Sequence, residues 1–173
     1  MSRLTRASID HWIAHYVLPL GLLILLTGMF WIGSKSGLHK AYYALFAFPV
    51  AILLVTQPSR LITLGGNPIF IGFLVFSAYT LISIAWSDTD TSASSLIKRP
   101  FYVALLFLGI AFLAQRERNR LLHVLSIATL LAAISALGSI TYFLIQGAEG
   151  RLSGYGALEN PLLTSHVYGM FAA

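Results

Sequence analysis

With 173 residues, of which 57% are hydrophobic and only 10% charged, and a mean hydropathy of +0.80, the chain has too few charges to clothe a water-soluble fold, which uses roughly a quarter. It reads as an integral membrane protein: an all-α, polytopic helical bundle forming a single transmembrane domain over residues 1–173. It has no cysteine, so no disulfide, thiolate metal site or cysteine nucleophile exists, and its formal charge of +5 lies scattered over loop ends without interleaved aromatics, which excludes nucleic acid as a partner.

The first 15 residues are polar and basic, with Arg3 and Arg6. Residues 16–32 are a nearly unbroken apolar run. No small-x-small cleavage site follows before Gly33-Ser34-Lys35, so the run is expected to stay as a first span. Pro19 falls in its first turns, where proline is tolerated. A polar turn with Lys35 and Lys40 leads to a second apolar run, 41–56, which Pro49 is expected to kink. Residues 57–68 are dense in turn formers (Pro58, Gly65-Gly66, Asn67-Pro68). A third span is expected over 69–86, closed by Trp86 as an interfacial aromatic.

The loop 87–95 carries Asp88 and Asp90, and Lys98 and Arg99 follow it. Pro100 suits the first turn of a fourth span over 101–114, with an alternative start near Leu96. A compact basic loop, 115–120, precedes the longest span, 121–145. Within it Ala128, Ala132 and Ala136 recur every four residues beside Ser135 and Ser139, a pattern that lets helices approach closely in lipid. A loop is expected over 146–165. The final residues, 168–173, look like the first turns of a sixth helix. A span needs about 20 residues, so the chain is expected to be the N-terminal part of a larger bundle with five complete spans.

Lys/Arg placement sets orientation. With the N-terminus cytoplasmic, inside loops hold Arg3, Arg6, Arg60, Arg116, Arg118 and Arg120, and outside loops hold Lys35, Lys40, Lys98, Arg99 and Arg151, six against five. The dense Arg116–Arg120 cluster favours N-in. The loops around Asp88 and Arg151 then face outward.

The 146–165 loop breaks the apolar pattern most sharply. It reads Gly-Arg-Leu-Ser-Gly-Tyr-Gly-Ala-Leu-Glu-Asn-Pro from Gly150 to Pro161. Its glycines and Asn160-Pro161 give a backbone that can turn tightly and expose its N–H groups. The Arg151 guanidinium suits a phosphate or carboxylate. The plainer reading is an arginine snorkelling to headgroups, and Lys98 and Arg99 allow the same two readings. Asp88 and Asp90 have no third ligand near them, so no metal site is expected. His123 is read as interfacial or capping. His166, just past the Asn160-Pro161 turn, is read as structural. No nucleotide-binding loop, zinc-protease motif or nucleophile elbow occurs.

Gly150-Arg151-Leu-Ser-Gly154, followed by Asn160-Pro161 and a further apolar run, resembles the signature of the O-antigen ligase and polymerase family, in which an Arg-x-x-Gly stretch and then Asn-Pro precede a membrane helix. Here the interval between Gly154 and Asn160 is longer than usual in that family. The resemblance implies a polytopic enzyme of the bacterial inner membrane. It would act at the periplasmic face on a glycan carried by undecaprenyl diphosphate, moving it to lipid A–core or extending it, without cofactor or metal. Arg151 would hold the diphosphate, with Arg99 and Lys98 as helpers, and Gly154, Asn160 and Pro161 would shape the loop. The family's catalytic histidine lies in a later periplasmic loop, so the resemblance assigns no catalytic residue to these 173 residues and implies that alone they are inactive. Two other classes remain open. A channel or transporter would need ionisable groups in mid-membrane, which the span centres lack. A scaffold subunit would be complete at this length.

Overall fold

The computed structural model describes residues 3–57, 59, 66–83, 86, 93–147 and 161–172, with the side chains of 3–7, 35, 93–97 and 161–163 outside that description. The described residues form six helical rods and no strand. Rod α1 (3–31) runs through three consecutive segments, Arg3–Trp12, a π turn Ile13–Val17, and Leu18–Trp31. Rod α2 (35–56) repeats the plan with Lys35–Tyr42, a π turn Tyr43–Ala47, and Phe48–Thr56. Then follow α3 (Pro68–Ser83), α4 (Ala93–Arg116), α5 (Arg118–Ile145) and α6 (Pro161–Ala172).

Local chemistry explains where the rods begin and end. Ser34 caps α2, its Oγ accepting from the Gly37 N–H at 3.1 Å. Asn67 Oδ1 accepts from the Ile69 N–H at 2.9 Å, and Pro68 supplies a first residue whose missing N–H costs nothing there. Gly147, at φ +91°, adopts the left-handed conformation just past the end of α5.

Among the described residues, four helices are long and apolar enough to cross a membrane: Ser8–Trp31, Ser36–Thr56, Lys98–Arg116 and Arg118–Ile145. The third expected span is a shorter apolar helix of 16 residues, about 24 Å long against a hydrocarbon core of about 30 Å. The architecture is thus an all-α, polytopic membrane bundle.

Three proline expectations change. Because α1 begins at Arg3, well before the apolar run, Pro19 lies in the rod's interior rather than its first turns. Pro100 likewise sits inside α4, which already begins at Ala93, so Lys98 and Arg99 stand more than one turn in instead of opening the helix. Pro161 starts α6, so residues 161–165, expected as loop, are helical. Its fixed φ suits a first helical residue.

Interior proline denies an N–H to the carbonyl four residues back and crowds it. In both α1 and α2 the chain answers with a π turn just before the proline. In α2 the carbonyl that Pro49 leaves without its N–H partner belongs to Leu45. That carbonyl lies against Gly21 of α1, where any Cβ would collide with its oxygen.

The core sits where α1, α2 and α4 meet, built from Leu18, Leu22, Phe46, Val50, Leu105 and Phe112. Gly109 lets Phe46 and Val50 lie on α4, for a Cβ there would meet Val50 Cγ2 at 2.8 Å. Rod α5 packs along the second half of α1, burying Ala128, Ala132 and Ser139 from its small-residue stripe. The opposite faces of α3 and α5 expose Phe76, Tyr79, Leu130, Ile134 and Leu137, as a lipid-facing surface requires. Thr27, Thr80, Thr129 and Thr141 return their hydroxyls to carbonyls four residues back, at 2.8–2.9 Å, so that none of these hydroxyls stands bare toward lipid.

Candidate functional site

Side-chain contacts sort the rod ends into two sets. At one end Asp10 of α1 meets Thr56, the last residue of α2, and Gln57 just after it, and His15 meets Glu117 between α4 and α5. At the other, Tyr42 of α2 donates to the Tyr102 carbonyl of α4 at 2.7 Å. Phe30 of α1 stacks on Tyr168 of α6 with centroids 5.8 Å apart, and the Tyr168 hydroxyl reaches Ser135 at 2.9 Å and Ser139 at 3.3 Å on α5. We call these the Asp10 end and the Lys98 end.

Lys98 and Arg99 are both exposed at the Lys98 end, one turn above Tyr102. Below them lies an aromatic cluster in which the Tyr102 ring meets Tyr43 at 5.2 Å, Tyr42 at 5.9 Å and Phe101 at 6.4 Å. Lys40 is exposed at the same end. Among the described residues no carboxylate lies there, since Asp10 and Glu117 both sit at the Asp10 end. The described part of this rim therefore presents exposed cations over an aromatic cluster.

Of the other expected site residues, Arg151, Gly154 and Asn160 lie outside the described residues, as do Asp88 and Asp90. Pro161 is described only as the first residue of α6. The described flanks of that loop are Gly147, past the end of α5, and Pro161, opening the rod whose Tyr168 packs at the Lys98 end. His123 is exposed and donates through Nδ1 to the Asn119 carbonyl at 2.6 Å.

The Asp10 end holds two polar clusters that sequence reasoning did not single out. Asp10, buried, accepts from Thr56 Oγ1 at 3.0 Å and from Gln57 Nε2 at 2.9 Å, tying α1 to the end of α2. His15 Nδ1 donates to Glu117 Oε1 at 3.1 Å, and Arg120 donates to His15 Nε2 and, at 3.1 Å, to the His15 backbone carbonyl. The guanidinium also lies 5.4 Å from the Tyr16 ring centroid, within cation–π reach. The available signal was Pro19 four residues after His15, which announces a carbonyl in need of a donor. Among the described residues no group of three metal-ligating side chains forms.

The fold and rim define a polytopic helical membrane protein with a cationic, aromatic-backed end. The chain is similar to an O-antigen ligase of Pseudomonas aeruginosa, 46% identical over 173 residues, which is 100% of this chain and 43% of that protein. On that similarity these 173 residues belong to the O-antigen ligase family. The chain spans less than half the length of this relative. No family model and no solved structure matches.

Proposed function

We propose that the chain is the N-terminal, donor-binding part of a membrane glycosyltransferase that moves a glycan from undecaprenyl diphosphate to lipid A–core. The observation that carries this is the 46% identity to an O-antigen ligase along the whole chain. The polytopic fold and the exposed Lys98–Arg99 pair support it. In this reading the N-terminus is cytoplasmic and the protein resides in the bacterial inner membrane. The Lys98 end is periplasmic, α3 completes a fifth span, and α6 begins a sixth.

The chemistry asks for little more than fixed positive charge. Breaking the bond between sugar and phosphate builds negative charge on the departing diphosphate, and cations placed where that charge develops stabilise it. Arg151 takes the diphosphate, Arg99 and Lys98 assist, and Gly154, Asn160 and Pro161 shape the loop around it. No nucleotide, cofactor or metal is called for.

The test is a deletion of the locus with complementation by its complete reading frame. A ligase predicts loss of all glycan from lipid A–core while the glycan stays on its lipid carrier. A polymerase predicts single repeat units still attached. An unchanged glycan ladder overturns both.

A further inference from the structure

We infer that Arg120 is a latch that holds the turn between α4 and α5 onto the proline-broken stretch of the first span, making the π turn of α1 dependent on that turn. Pro19 has no N–H to give the His15 carbonyl, and the preceding residues 13–17 have opened into a π turn. A carbonyl held partly away from water without its donor costs about as much as a lost hydrogen bond. Arg120 supplies that donor from another rod, with one guanidinium nitrogen on the His15 carbonyl at 3.1 Å and another on Nε2 of the same residue.

The cluster is closed in a definite sense. His15 Nε2 faces Arg120 while its Nδ1 lies 3.1 Å from Glu117 Oε1. Glu117 Oε2 lies 3.7 Å from Arg120 Nε. Glu117 is the single residue between the two helices, and its own N–H is held by the Leu113 carbonyl at 2.8 Å. Backbone and side chain of His15 are therefore both read by the α4–α5 turn. Lysine could not reproduce this, because a compact ammonium lacks the planar fork that reaches two acceptors at once. The second π turn sets the contrast. The Leu45 carbonyl left by Pro49 meets Gly21, so among the described residues the α1 irregularity is the one tied to a charged side chain. The latch fixes one end of α4, the helix whose opposite end bears Lys98 and Arg99.

The test is a double-mutant cycle on the full chain in detergent micelles, comparing Arg120→Ala, Pro19→Ala and the double variant by thermal unfolding. The Pro19→Ala change restores an N–H that can answer His15. The loss of midpoint caused by Arg120→Ala should then be about twice as large with Pro19 present as in the Pro19→Ala background. Equal losses in the two backgrounds overturn the latch. If Arg120→Ala does not fold beside Pro19, its folding in the Pro19→Ala background supports the latch, and failure in both backgrounds counts against it. Arg120→Lys should behave as Arg120→Ala does, and full stability of Arg120→Lys would show that charge alone suffices and overturn the fork. None of these outcomes depends on glycan transfer.

Discussion

Gly21 of the first rod lies face to face with the carbonyl of Leu45 in the second, so closely that a Cβ on Gly21 would stand 2.8 Å from the carbonyl carbon and nearer still to its oxygen. Pro49 has no N–H for the Leu45 carbonyl, and glycine alone leaves room for that carbonyl against α1. Backbone atoms cannot rotate away as a side-chain tip can. Gly21→Ala is therefore expected to cost about 1–3 kcal/mol, measured as unfolding in micelles. The control is Gly138→Ala, where a Cβ would meet nothing within 4 Å. That change should be neutral or stabilising by up to about 1 kcal/mol.

Asp10 binds two donors, from Thr56 and Gln57, while buried at the end of the bundle. Asp10→Ala leaves both unanswered and should cost about 1–3 kcal/mol. Asp10→Asn keeps one acceptor for Thr56, and the Gln57 amide can turn its oxygen to the new donor. It should lose under half as much in the same unfolding measurement.

Tyr168 joins two kinds of contact, and they should separate. Tyr168→Phe removes only the hydroxyl shared with Ser135 and Ser139. Those serines can turn to their own helix as Thr129 and Thr141 already do, so the loss should stay below about 1 kcal/mol. Tyr168→Ala also removes the ring stacked on Phe30 and should cost about 3 kcal/mol or more.

Much of this architecture was legible in the sequence, because most of the rods contain a long apolar run bounded by turn residues. The runs at 41–56 and 121–145 lie within α2 and α5 almost end to end. The small residues Ala128 and Ala132 pack inward as their spacing required. Helix starts were less legible, since hydropathy marks the membrane and not the helix: α1 and α4 begin in polar residues that no apolar window includes. The latch at Arg120 was illegible for another reason. Its partner is 105 residues away, and only the folded bundle brings the turn at Glu117 beside His15. Pro19 and Pro49 marked where carbonyls would be orphaned, yet nothing local distinguished the one met by arginine from the one met by glycine.

Lys98 and Arg99, exposed at one rim without a described carboxylate beside them, are expected to act on substrate and not on folding. Lys98→Gln and Arg99→Gln should each leave unfolding within about 0.5 kcal/mol of the parent. Each should slow glycan transfer by about tenfold, the loss of one charge-assisted contact to a developing anion.

The most direct measurement is transfer of glycan from undecaprenyl diphosphate to lipid A–core in membranes carrying the complete reading frame, with and without Arg151→Ala. The account predicts normal levels of the variant protein in the membrane and no transfer. Undiminished transfer by Arg151→Ala would contradict it.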